Sequence, residues 1–190
     1  MTAFTYRMGA GSAGEVTRAH PMSIRGFVND ASGSNPLTYF GQAALFHGAT
    51  NTVRAVDHTD DSAKGNSTVT IAGISVRPFP FQDSGAGETY GAVAYGAGGP
   101  PAGGIVDLLT LGSILVTQNE PTGTYPASSV LGGAVYVRVT TATTAGFTTL
   151  PIGGFEVVQD PIPANQFTVA NAVWNGPADA FGVAEITLIG

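Results

Sequence analysis

Val135-Tyr136-Val137-Arg138-Val139-Thr140 places a valine at every second position. Successive side chains of a strand point to opposite faces, so the three valines share one face and Tyr136, Arg138 and Thr140 the other. This is the clearest half-buried strand in the sequence. Ala184, Ile186 and Leu188, set against Glu185 and Thr187, repeat the pattern near the end of the chain.

Working outward, strand signals also cover Leu37–His47, Thr52–Asp57, Phe155–Val158 and Phe167–Val173. Within Ile105–Thr117 they centre on Ile114–Val116. In Thr68–Arg77 the pattern slips phase. Val69 and Ile71 share one face, then Ile74 and Val76 have the opposite parity. The slip falls at Ala72-Gly73 and reads as a bulge or tight bend. No window of a dozen residues carries an amphipathic helix, although Ser12 and Glu15 are spaced for one short capped turn. Short strands at roughly ten-residue spacing, with Gly and Pro between them, predict an all-β fold, a β-sandwich or jelly-roll-like or barrel-like body.

Gly-rich residues 1–35 read as an extended N-terminal arm, and residues 36–190 as a single β-rich domain. Residues 83–104 form one long Gly/Pro loop, since the adjacent prolines of GAGGPPAGG (Gly96–Gly104) exclude a central strand.

Composition narrows the function. Of 190 residues, 27 are Gly and 12 are Pro, and only 11% are charged, against about 25% in ordinary soluble domains. That is too apolar for a disordered chain and too sparsely charged for a lone monomer's surface. The net charge of −6 offers no basic footprint for nucleic acid. It is unevenly spread, with Arg7, Arg18 and Arg25 against Glu15 in the first 28 residues and an acidic remainder. There is no cysteine, hence no disulfide, thiol nucleophile or thiolate metal site. No segment has the apolar core of a signal peptide or the length of a membrane span. The expected site of synthesis is therefore the cytoplasm, with no membrane partner.

Catalytic and cofactor motifs fail on context. GAGSAG (Gly9–Gly14) fits the dinucleotide fingerprint in letters but lacks the strand before it and the helix after it. Asp57-His58-Thr59-Asp60-Asp61 concentrates possible metal ligands. It has no calcium-loop spacing and reads as a solvated hairpin loop. His20, His47 and His58 fall in loops or at strand ends, and Ser12 is not on a strand-to-helix elbow. Asn66-Ser67-Thr68 is a glycosylation sequon by letters only. The expectation is no enzyme, no cofactor and no metal.

Three segments, in order, carry a resemblance. FTYRMGAGSAGEVTR (Phe4–Arg18), ISVRPFPFQ (Ile74–Gln82) and IVDLLTLGSILV (Ile105–Val116) resemble the structural cement, or capsid decoration, proteins of tailed bacteriophages. Beyond about residue 119 no segment carries the likeness. The resemblance implies a non-catalytic virion protein on the capsid exterior. Its implied partners are the major capsid protein and copies of itself, as a dimer or trimer.

The residues fit that implication. An extended arm can add a strand to a neighbour's exposed edge, and Tyr and Arg dominate interface hot spots. The expected contact residues are Phe4, Tyr6, Arg7, Met8 and Arg18 in the arm, with Arg77, Phe79 and Phe81 in the second segment. Two alternatives remain on the sequence alone. One is another phage head or tail component. The other is a β-sandwich module binding a carbohydrate or host surface, with Trp174, Tyr90 and Tyr95 as its stacking residues.

Overall fold

A computed structural model describes residues 13–17, 22–31, 36–48, 50–56, 68–77, 100, 102–119, 129–140, 152–179 and 182–189. The strands are β1 (Ser23–Val28), β2 (Ala43–His47), β3 (Thr52–Ala55), β4 (Thr68–Val69), β5 (Gly73–Ser75), β6 (Ile105–Asn119), β7 (Ala134–Arg138), β8 (Phe155–Glu156), β9 (Gln166–Trp174) and β10 (Val183–Leu188). A 3-10 turn, Pro163–Asn165, precedes β9. The fold is all-β, as the alternating patterns predict, and of the architectures expected it is the barrel-like one.

Its organising element is β6. The C-terminal half of β6 pairs with β10, β10 with β9, β9 with β7, β7 with β8, and β8 returns in parallel to β6. The N-terminal half pairs with β5 and β1, β5 with β2, and β2 with β3. A parallel bridge from Val53 of β3 to Asn29, just after β1, completes that second circuit. One strand thus belongs to two closed circuits. Gly112, at φ 117°, sits where β6 changes partners; the left-handed region it occupies suits only glycine.

The two circuits explain the burial. The larger core gathers Ile114, Val116, Val135, Val137, Val139, Phe155, Phe167, Trp174, Ile186 and Leu188, together with Ala43, Ile74 and Leu109. The smaller holds Leu37, Ala44, Val53, Ala55, Val106 and Leu108, with Phe27 packed against it. Neighbours Leu108 and Leu109 therefore face different cores, and both are fully buried. A strand covered on both faces loses its alternation. That is why the strand read at Ile114–Val116 proves to run the whole length Ile105–Asn119.

The phase slip at Ala72-Gly73 has a structural meaning. Before it, β4 pairs with β9 in the larger circuit; after it, β5 pairs with β2 and β6 in the smaller. Asn171 bridges the crossing, donating from Nδ2 to the Ile71 carbonyl (3.2 Å) and accepting the Ile71 N–H at Oδ1 (3.1 Å). Gly73 is required there, because a Cβ would lie 2.6 Å from the Leu109 carbonyl oxygen.

Part of the stretch read as an arm is paired into the body. Residues 23–28 are β1, a strand of the body. No helical turn forms in residues 13–17. They make a turn and a bridge from Val16 to Ile114 instead.

Candidate interaction surface

β1 lies on β6 in antiparallel register, from Ile24 opposite Leu109 to Val28 opposite Ile105. The Asn29 N–H continues that ladder to the Gly104 carbonyl (2.9 Å), whereas the Asp30 N–H turns the other way, to the Val53 carbonyl (2.8 Å). Backbone groups alternate sides along a strand, so those of Ile24, Gly26 and Val28 point away from β6. Among the described residues that outer edge is bridged only at Asn29. Ile24, Arg25, Gly26 and Val28 are exposed, which is unusual for a strand inside a fold.

Between this edge and the β2–β3 hairpin lies a cleft of about 380 Å³, lined by Gly26, Phe27, Val28, Phe46, Asn51 and Ile105. Phe27 and Phe46 meet edge to face, with ring centroids 5.3 Å apart. Phe46 is 59% exposed and Ile105 is 76% exposed. Large apolar side chains converging at an open strand edge mark an interaction surface. Asp107 adds an acidic group at the rim. Its Oδ1 would lie 3.6 Å from a Cβ placed on Gly26.

Polar contacts hold the edge in place. Asn29 is buried, donating from Nδ2 to the Leu37 and Pro100 carbonyls (3.0 and 3.3 Å) and accepting the Leu37 N–H at Oδ1 (2.8 Å). His47 Nδ1 lies 2.7 Å from Asp30 Oδ2 and 2.9 Å from Thr50 Oγ1. Both partners meet the same ring nitrogen. A nucleophile relay needs the hydroxyl and the carboxylate on opposite nitrogens, so this cluster ties β1 to the hairpin and is not built as a triad.

A second polar cluster is buried in the larger circuit. Arg138, on the face of β7 read from sequence as polar, is fully buried. Its Nε and Nη2 donate to the two oxygens of Glu156, and its Nη1 donates to Asp160 Oδ2, each at 2.7 Å. Gln166 donates to Glu156 and accepts the Asp160 N–H. Asn165 and the Ile162 N–H complete Asp160. Every member is engaged by another, which is the form of a structural network.

Burial pushes the Glu156 carboxyl up, and Arg138 and Gln166 pull it back only in part. Burial acts upward on Asp160 as well. There the Ile162 N–H, Arg138 and Asn165 outweigh it and hold the carboxyl below the ordinary aspartate range. A depressed carboxyl stabilises the fold above its unfolded pKa, and that contribution is lost as pH falls through the lower folded value. Glu156, with its raised value, has the opposite sign. Asp160→Asn should therefore flatten the fall in stability below about pH 4, read from urea midpoints along a pH series. Equal slopes in the two proteins would refute this.

Of the contact residues expected from sequence, Arg77 is the one described. Its guanidinium carbon stands 5.7 Å from the Phe40 ring centroid, and its backbone N–H donates to the Gly14 carbonyl (2.9 Å). Arg77 thus fastens residues 13–14 to the body. Phe4, Tyr6, Arg7, Met8, Arg18, Phe79 and Phe81 lie outside the described residues, as do Tyr90, Tyr95 and the Asp57–Asp61 run. Trp174 is fully buried, so it offers no face for stacking a sugar. The cleft residues Phe46 and Ile105 escaped the sequence reading because they meet only across separate strands.

The described polar clusters serve the fold, and the exposed apolar side chains of Phe46 and Ile105 gather beside the edge of β1, the makings of an interaction surface. The family described as structural cement protein (E217 gp24/Pam3 gp6) matches residues 1–189, and the chain belongs to that family. Its role is that of a phage structural cement protein. Among solved structures it is similar to one from the capsid of Myoviridae phage XM1, with a TM-score of 0.61 and 19% identity over 98% of this chain and 95% of that one. At that identity the likeness is one of fold. No curated protein matches the chain.

Proposed function

We propose that the protein binds the exterior of the major capsid shell and bridges neighbouring capsomers, without catalysing a reaction. The observation that carries this reading is the family match along residues 1–189. The low charge and the exposed apolar edge of β1 support it, since both suit a surface that is covered in the assembled particle. In this reading the residues before Ala13 act as an arm, and Phe4, Tyr6, Arg7, Met8, Arg18, Arg77, Phe79 and Phe81 contribute to the contacts with the shell or a neighbour. Synthesis in the host cytoplasm precedes addition to the particle.

The test is addition of purified protein to empty capsids lacking it. Binding should saturate at a fixed stoichiometry and raise the temperature of capsid disruption. The stabilisation should grow with the logarithm of free protein, by about 2.7 kcal/mol per site at a hundredfold excess over Kd. Scanning calorimetry and sedimentation read both. Shells that neither bind the protein nor gain stability would overturn the reading. Unchanged binding after deletion of residues 2–12 would remove the arm from it.

A further inference from the structure

We propose that the outer edge of β1 receives residues Phe4–Met8 of a neighbouring copy as an added strand, joining copies head to tail. This deepens the capsid reading by naming how copies of the chain join.

The acceptor is an edge that is open among the described residues, beside an apolar cleft. The N–H and C=O groups of Ile24 and Gly26 point outward from the β1–β6 ladder, and the cleft beside them is walled by Phe27, Phe46 and Ile105. An incoming strand would complete the ladder with its backbone and fill the cleft with alternate side chains.

The donor is legible in the sequence. Phe4, Tyr6 and Met8 recur at every second position, with Thr5 and Arg7 between them. That pattern requires an apolar surface on one side only. Arg7 complements Asp107 at the cleft rim. More broadly, the first 28 residues are net basic and the rest of the chain net acidic.

Direction decides that the donor comes from another copy. The Gly14 N–H donates to the Leu115 carbonyl and the Thr17 N–H to the Ser113 carbonyl, and β1 then continues along β6 to Ile105. The chain runs one way along β6. Gly14, to which the donor segment is joined along the chain, lies at the Leu115 end of β6, while the cleft lies at its Ile105 end. Gly26, paired with Asp107, is therefore roughly 26 Å along the strand from that attachment point, farther than the chain from Met8 to Gly14 can span, at most about 22 Å. An interface made of two different patches is heterologous, and it closes into a ring when the rotation between copies allows.

The experiment uses full-length variants without capsids. Phe4→Asp/Tyr6→Asp keeps the acceptor and spoils the donor. Gly26→Pro keeps the donor and spoils the acceptor. The Gly26 N–H faces away from β6, so proline removes only an outward donor, as edge strands tolerate. Phe46→Asp, at a side chain 59% exposed, is the second acceptor variant, and thermal melts confirm that each is folded. Light scattering should find the parent chain oligomeric and each variant monomeric. An equimolar mixture of donor-dead and acceptor-dead chains should form a heterodimer of twice the 19.2 kDa chain mass. The proposal is overturned by a parent chain that stays monomeric to millimolar concentration. It is equally overturned by acceptor variants that keep the parent's mass, or by mixtures that do not combine. Capsid binding is scored separately. Copies that join through this edge yet ignore shells would refute the capsid reading and leave this one standing.

Discussion

Arg138→Leu is expected to destabilise the protein by about 3–5 kcal/mol, the cost of removing one partner from a buried ion pair. The guanidinium is fully buried and serves both Glu156 and Asp160. Leucine would leave two carboxylates facing each other with no cation between them. Burial already pushes the Glu156 carboxyl up, and Asp160 loses Arg138 as one of the groups that hold its carboxyl down. The loss arises in the interior and not on the surface. Combining Arg138→Leu with Glu156→Leu and Asp160→Leu should recover much of the stability lost in the single variant, because no charge is then stranded. Guanidinium denaturation of the single and triple variants measures both. A single variant within about 1 kcal/mol of the parent would show that the network contributes little.

Trp174→Ala should cost a similar amount, about 3–5 kcal/mol, through the cavity left in the larger core. Trp174 lies in β9 beside Ile186 of β10 and is fully buried. Its indole N–H finds no acceptor among the described residues. Trp174→Phe should consequently be the milder change, since it removes ring volume but no hydrogen bond. The pair of variants separates two roles for this residue. A core role predicts a large drop in midpoint for alanine and a smaller one for phenylalanine. A sugar-stacking role predicts near-parental stability for both, with loss of glycan binding.

The strands that were legible in the sequence are those whose apolar residues keep to one face. Val135 and Val137 in β7, and Ala184, Ile186 and Leu188 in β10, are buried while Tyr136, Glu185 and Thr187 between them stay partly exposed. The full extent of β6 was hidden for the opposite reason, since its middle is buried on both sides. The slip at Ala72-Gly73 could be seen, but what it does, moving the chain from one circuit to the other, depends on β9 and β2, far away in sequence. Arg138 misled because a lone arginine in an alternating strand reads as solvated; its acids come from Glu156 on β8 and Asp160 in the loop before β9. The family was legible from short segments of the first two thirds of the chain. The cleft was not, because Phe27, Phe46 and Ile105 come from three separate strands and no local pattern announces their meeting.

β6 has a mechanical consequence. A segment that is a wall of both circuits cannot be peeled from one without loosening the other, so the molecule has no natural tear line between the surface carrying the cleft and the interior carrying Trp174. Tension applied at the Ile105 end passes along a single covalent backbone into the larger core, where β10 grips residues 112–117 by antiparallel pairing. That pairing runs alongside the pull, so its hydrogen bonds share the strain instead of opening one after another. In a member of the structural cement family, one continuous strand thus joins the cleft to the larger core.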